Sequence, residues 1–391
     1  MAGPSFPLRR TCAVCNAKEC PAAWCKRTWC RPALAAGRAR RRDRPACAGS
    51  RQIHASPPHL DEILALKVGI PKEVFPGETR VALIPESVKK LTEKKAEVVV
   101  EAGACVAAGH DDEAYRAVGA SVEPSHDAVL GADLVLKVQP PATGEQGLPN
   151  EVGKLKEGAA LIAFLQPYAR QEMLKQLAAR NVTAMGMEMV PRITRAQNMD
   201  ALSSMATVAG YKAVLLAANA FPRFFPMFMT AAGTIPPARA LILGAGVAGL
   251  QALATAKRLG AVVEAFDTRP VVKEQVESLG GRFVGLEVSH EEAQDAGGYA
   301  KELSEDHHRR ELELIAQRLP RTDIIISTAQ IPGRKAPILI TEEMLTKMKP
   351  GSVIVDMAVE GGGNCALTEY NKTVVKHGVI LIGTANLPAL M

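Results

Sequence analysis

LILGAGVAGLQALATAKRLGAVVEAFD, residues 241–267, decides what this chain folds into. It opens on an apolar run and passes through Gly244, Gly246 and Gly249 in G-x-G-x-x-G spacing. Helical periodicity follows, then a second apolar run closed by Asp267. A strand turning sharply into a helix that returns to a neighbouring strand reads this way. The first glycine permits the tight turn. The second lets the backbone approach a pyrophosphate at the positive end of the helix, and the third lets helix and strand pack closely. Asp267 stands where a carboxylate accepts hydrogen bonds from an adenosine ribose. The plainer alternative, a packing turn with no ligand, does not account for strand, helix and acid together. The unit is therefore read as dinucleotide-binding through Gly244, Gly246, Val247, Ala248, Gly249, Asp267, Thr268 and Arg269. A 2′-phosphate about 4 Å from the Asp267 carboxylate costs up to a few kcal/mol at moderate dielectric. That favours NAD(H) over NADP(H), and Arg269 softens the preference.

Outward from this unit, short β-rich runs alternate with helical stretches, as in parallel α/β proteins. Toward the C-terminus come GRFVGL, TDIIISTA, GSVIVDMAV and GVILIGTA; toward the N-terminus LKVGIPKE (66–73), AEVVVEAGA (96–104), ADLVLKV (132–138), ALIAFL (160–165) and VTAMGMEMV (182–190). Each half holds enough strands for its own sheet. The expected fold is α/β, two doubly wound parallel-sheet lobes around a cleft, the first flavodoxin-like and the second of Rossmann type. Residues 60–198 form the first lobe, 199–221 a linker helix and 222–391 the nucleotide lobe. The linker is read from helical spacing of Leu202, Met205, Ala209, Ala213 and Leu216, followed by the breaker GTIPPA (233–238).

Residues 1–59 stand apart. They hold 12 Lys/Arg against Glu19 and Asp43, so the net charge of +6 hides a body near −4. That balance does not suit nucleic-acid binding. Six of the eight cysteines also lie there, leaving Cys105 and Cys365, which reads as a body folded in a reducing compartment. Three readings of the leader stay open: an Arg-rich, acid-poor targeting presequence, a non-native extension, and a thiol zinc site that lacks a second CxxC. No metal is expected in the body. The longest uncharged apolar run, 240–256, is 17 residues with glycines inside, so no membrane span is expected and the chain reads as soluble.

Two further stretches invite a ligand. PRITRAQNMDALSS (191–204) gathers Arg192, Gln197, Asp200 and Ser203 just before the linker helix, on the cleft side of this topology. The insert 290–310 carries Gly298 and Tyr299, suited to a flap over a nucleotide or, more plainly, to a solvated charged loop.

Taken with GIPKEVFPGETRVALIP (69–85), GYAKE, IPGRKAP and TEEMLTKMKPGSVIVDMAVEGGGN (341–364), these motifs resemble the NAD(H)-binding component of proton-translocating NAD(P) transhydrogenase. The resemblance runs from about residue 66 to the end. Most of the motifs are shared with alanine dehydrogenase, and the R-x-x-x-x-Q-x-x-D loop separates the two. The resemblance implies reversible hydride transfer from NADH bound here to NADP⁺ on a partner domain. It further implies a membrane-spanning proton-channel domain, a homodimer and a matrix-facing place at the mitochondrial inner membrane, or the cytoplasmic face of a bacterial-type plasma membrane. It puts Gln197 between two nicotinamides, Arg192 and Asp200 on the NAD(H) ring, Ser203 on its carboxamide, and Gly298, Tyr299 and Gln330 at the nucleotide. Transfer between two nicotinamides needs alignment and no general base. Alanine dehydrogenase is the rival. Lys137 matches its lysine, but Gln166 stands where it carries a histidine and Glu360 where it carries an aspartate. A fragment that binds NAD(H) without catalysis is the other alternative. Two departures from the transhydrogenase pattern stand out: Gln330 replaces a usual leucine, and the family continues past GTANLPALM into helices that complete the first lobe.

Overall fold

The computed structural model describes residues 66–286, 305–331 and 333–391, all within one compact unit, Pro58–Met391. Chain order begins β1 (Lys67–Ile70), α1 (Pro85–Thr92), β2 (Glu97–Glu101), α2 (Asp112–Ala117), β3 (Ser121–Glu123), α3 (His126–Leu130), β4 (Leu134–Leu136), β5 (Ala160–Ala163), α4 (Gln171–Ala179) and β6 (Thr183–Gly186). These strands make one parallel sheet in the order β3-β2-β1-β4-β5-β6. The five strands other than β3 follow the expected flavodoxin-like order. The three-residue edge strand β3 extends that to the 3-2-1-4-5-6 order of a dinucleotide fold, a pairing too short to read from sequence. The run 182–190 gives only four strand residues before Met187–Met189 tighten into a 3₁₀ turn.

Helix α5 (Ala201–Ala220) follows, then a hairpin of β7 (Phe228–Thr230) and β8 (Gly233–Ile235) in the stretch expected merely to break structure. The second sheet uses β9 (Arg239–Leu243), β10 (Val262–Phe266), β11 (Arg282–Val284), β12 (Ile324–Ser327), β13 (Val353–Asp356), β14 (Thr373–Lys376) and β15 (Val379–Ile382). Its order is β11-β10-β9-β12-β13-β15-β14, parallel except for the β14–β15 pair. Both faces are covered. Ala240, Ile242, Ile324, Ile326, Val353 and Val355 point into a core shared with α5 and with α6 (Val247–Arg258). The residues between them, Leu241, Leu243, Ile325 and Ile354, point the other way, onto Ile315, Leu319 and Met344. Period-two alternation with both sets apolar is why these strands read as continuous hydrophobic runs.

Among the described residues the longest apolar helix is α5, at 20 residues with mean hydropathy 1.4. By length and composition it meets the test for a span, which the run 240–256 does not. Here it carries Ala209, Ala213, Val214 and Ala217 in the second lobe's core. Contact with α6 depends on small residues: a Cβ on Gly210 would lie 2.2 Å from the Ala248 carbonyl oxygen. The helix that leaves the first lobe is thereby locked onto the first turn of the nucleotide-binding helix.

Candidate functional site

The glycine turn shows three distinct constraints. Gly244 has φ +94°, and a Cβ there would sit 2.7 Å from the Thr328 hydroxyl, which donates to the Gly244 carbonyl at 2.9 Å. A Cβ on Gly249 would lie 1.8 Å from the Gly244 carbonyl oxygen. The protein itself imposes both. At Gly246 nothing does: the nearest atom a Cβ would meet is the Arg269 guanidinium, 4.0 Å away. Gly246 also caps α6 without a side-chain hydrogen bond, leaving that helix end to an outside acceptor. A pyrophosphate fits there. The Thr268 hydroxyl, next in sequence to Asp267 after β10, is buried without a hydrogen-bond partner among the described residues, as a ribose contact would leave it. Residues and cofactor are compatible.

Asp267 differs from the sequence expectation. Its carboxylate, 5% exposed, is already filled. One oxygen accepts the Ala245 N–H at 2.7 Å and the Arg269 Nη2 at 2.8 Å; the other accepts the Arg269 N–H and Nε, both at 2.9 Å. A carboxylate offers about four acceptor sites, so a ribose hydroxyl reaches this one only by displacing Arg269. Chelation by a side chain two residues away is invisible to motif spacing. Asp267→Ala removes both the brace on the turn and the charge facing a 2′-phosphate. NADH affinity is expected to fall about tenfold as the turn loses the charge-assisted hydrogen bond from the Ala245 N–H, and the preference over NADPH to narrow in titrations. An unchanged preference would remove Asp267 from selectivity.

Around PRITRAQ, residues Thr194–Met199 form a 3₁₀ helix pinned by buried Ala196. Asp200 then caps α5, accepting the Ser203 N–H at 2.9 Å and the Ser203 hydroxyl at 2.6 Å. Partial burial works against ionisation of Asp200, but the Ser203 bonds and the nearby Arg192 charge hold its carboxyl below the ordinary value. Because the Ser203 proton is committed to Asp200, its oxygen is left to accept, as from a carboxamide NH₂. Gln197 is exposed on the 3₁₀ turn and Arg192 is exposed just before it. Gly210, which touches α6, lies ten residues along α5 from Asp200, a rise of about 15 Å. The loop therefore stands one helix segment from the phosphate end of the nucleotide turn.

Gln330 is exposed, and its amide donates to the Met357 carbonyl at 3.3 Å. Its segment is built by two residues to which sequence reading gave no role. Buried Asp356 accepts from Ser327, Ala358, Asn364 and Cys365, and Asn364 exchanges hydrogen bonds with the Ala329 backbone. A carboxylate closing an apolar strand was the available signal. Gly298 and Tyr299 lie outside the described residues. The far end of the expected flap, from Glu305, belongs to a helix reaching Ala316.

The lysine that matched alanine dehydrogenase is not presented to a ligand. Lys137 is fully buried, 2.8 Å from Glu151 and 3.2 Å from Glu73. Burial pushes the Glu73 carboxyl up despite Lys137, whereas His126 and Lys137 hold Glu151 down against its own burial. Beyond Glu151, His126 Nδ1 meets Glu101 at 2.6 Å, and Nε2 lies 3.3 Å from Glu151 in poor hydrogen-bond alignment. The hydrogen bond to Glu101, and after it the nearby Glu151 carboxylate, raise His126 to about 9 against burial. Its ordinary value is near 6.5, so its stabilisation is complete below that pH and lost as pH rises through about 9. The urea midpoint of the parent is expected to fall across that window, with His126→Gln flatter. Parallel curves would remove His126 as the cause.

Residues 69–209 match the model of the alanine dehydrogenase/PNT N-terminal domain, and residues 213–391 that of the C-terminal domain. The chain belongs to the alanine dehydrogenase/PNT family. Within it, an NAD(P) transhydrogenase subunit alpha chain of Rhodospirillum rubrum is 54% identical, covering 83% of this chain and 85% of the relative. Alanine dehydrogenase of Bacillus subtilis is 30% identical over 82% and 79% of the two chains. Among solved structures, a transhydrogenase from Sinorhizobium meliloti aligns at TM-score 0.72 with 45% identity, covering 83% of this chain and 88% of that one. Identity thus separates the two branches of the alanine dehydrogenase/PNT family more sharply than fold does.

Proposed function

We propose that this chain is the NAD(H)-binding part of a proton-translocating NAD(P) transhydrogenase, passing hydride reversibly from NADH to NADP⁺ held by a partner domain. The observation that carries the reading is the loop 191–204. An ionised Asp200 fixes Ser203, Arg192 lies within its field, and Gln197 is exposed on the 3₁₀ turn between them. These groups hold and turn a carboxamide-bearing ring. None of them is a proton acceptor poised for deamination, and Lys137 is bound between carboxylates. NAD(H) supplies the hydride. The chain supplies a glycine turn for the phosphates and a polar loop for the ring. Gly298, Tyr299 and Gln330 are assigned to the nucleotide on the family resemblance.

The partners are an NADP(H)-binding domain and a membrane-spanning domain through which transfer is coupled to protons. Mixing the chain with a family NADP(H)-binding domain, NADH and an NADP⁺ analogue is expected to give transhydrogenation. NADH binding without turnover would favour the fragment reading, and NADH consumption with pyruvate and ammonia the alanine dehydrogenase reading. A homodimer is supported by the β7–β8 hairpin and the segment leading into it, where Phe224, Met227, Phe228 and Met229 are all exposed, Met229 by 79%. Phe228→Asp with Met229→Asp is expected to convert a sedimenting dimer to monomer, and an unchanged dimer would move the interface elsewhere. The Arg-rich leader supports a mitochondrial, matrix-facing location. A mature N-terminus retaining the leader would favour a bacterial-type plasma membrane.

A further inference from the structure

The loop after β1 and the last turn of the chain hold each other across the cleft. Arg80 Nε and Nη2 donate to the two oxygens of Glu78 at 2.8 and 2.6 Å, and the same Nη2 donates to Asn386 Oδ1 at 2.8 Å. Asn386 returns its amide to Glu78 at 2.9 Å, closing a three-residue ring between positions 308 residues apart. Beside it the Thr79 hydroxyl donates to the Ala389 carbonyl.

Both ends of the ring are anchored. On the first lobe, Gln139 donates to Glu78 at 2.7 Å, and Glu73 accepts the Val138 and Gln139 N–H groups while pairing with buried Lys137. On the second, the Asn386 N–H donates to Glu360 at 2.7 Å, and Leu387 sits in the core with α5. Asn386 has φ +49°, a left-handed conformation that asparagine tolerates better than most residues. It follows β15, whose C-terminal edge is also the edge carrying the glycine turn after β9, because β9, β12, β13 and β15 run parallel. The ring therefore bridges the glycine-turn edge of one sheet to the loop leaving the other.

We propose that Glu78, Arg80 and Asn386 form an interlobe tie that fixes the cleft for hydride transfer, acting as positioning residues and not as nucleotide ligands. The Glu78 side chain is fully buried and Arg80 mostly so, with the guanidinium already engaged by two partners. Burial alone would raise the Glu78 carboxyl, but hydrogen bonds from Arg80, Gln139 and Asn386 bring it down to about 2. The ring thus stays charged at any pH where the protein works. Hydride transfer is sensitive to small changes of pose, so loosening the lobes should cost rate before affinity.

This rests on the transhydrogenase reading, and the test separates the two. Asn386→Gly keeps the left-handed backbone and removes the amide; Arg80→Gln and the double variant complete the cycle. In the full chain, Asn386→Gly is expected to speed hydrogen exchange of the 76–83 amides, more than 300 positions away in sequence. With the NADP(H)-binding domain, each single variant should transfer hydride about tenfold more slowly, with NADH affinity within about threefold. The double variant should be no slower than the slower single. Unchanged exchange at 76–83, additive losses, or affinity falling in step with rate would each overturn the tie. A parent chain that shows the exchange coupling yet never transfers hydride would sink the transhydrogenase reading alone. Should Arg80→Gln unfold, Asn386→Gly still decides.

Discussion

Gln197→Ala slows hydride transfer about 100-fold and leaves NADH affinity within about threefold of the parent: that split is the expected signature of an aligning residue. Gln197 is exposed on a 3₁₀ turn held by buried Ala196 within it and by the Asp200 cap after it. Removing its side chain leaves that scaffold intact, because no described bond of the turn uses the glutamine amide. What is lost is a donor and an acceptor at the place where two rings must meet. An effective concentration is sensitive to pose, and a misplacement of about 1 Å costs on the order of 100-fold. Single-turnover transfer to an NADP⁺ analogue and a fluorescence titration of NADH measure the two quantities. Equal losses would make Gln197 an ordinary nucleotide ligand. No loss in either would place the ring elsewhere, and the proposed function with it.

The local features of this chain were legible because their causes are local. Gly244, Gly246 and Gly249 are three residues of one turn, and period-two apolar runs in β9, β12 and β13 announce strands buried on both faces. The Asp200 cap was likewise within reach, since an acid three residues before Ser203 is a common way to begin a helix. The remainder depends on partners far away in sequence. Nothing in LVLKVQPP tells that Lys137 ends between Glu73 and Glu151, nor does GTANLPALM tell that Asn386 reaches Arg80. Gly210 looks like one more small residue in a helix until α6 is placed against it. The Asp267–Arg269 chelate is a different failure. Both residues belong to the nucleotide set expected from sequence, but side-chain direction after a strand end is set by the turn that follows, and spacing says nothing about it.

Gly246 offers a test that separates fold from ligand. Its two companions are fixed by the protein: a methyl on Gly249 meets the Gly244 carbonyl oxygen at 1.8 Å, and one on Gly244 meets Thr328 in a left-handed conformation. Gly249→Ala is therefore expected to unfold the nucleotide lobe, because the obstacle is backbone. Gly246 has an ordinary negative φ and open space beside it, so Gly246→Ala should leave the urea midpoint where it was. Only a ligand lying against the start of α6 would feel the methyl. With the pyrophosphate pushed back from the helix N-terminus, NADH affinity is expected to fall about 100-fold, since the second glycine exists for that approach. A variant that folds and binds NADH as tightly as the parent would show that the phosphates do not lie against this turn. A variant that fails to fold would show that Gly246 has a structural duty, contradicting the open space seen beside it. The expected pair of results, one glycine essential for folding and its neighbour three residues earlier essential for binding alone, cannot arise from a packing turn without a nucleotide.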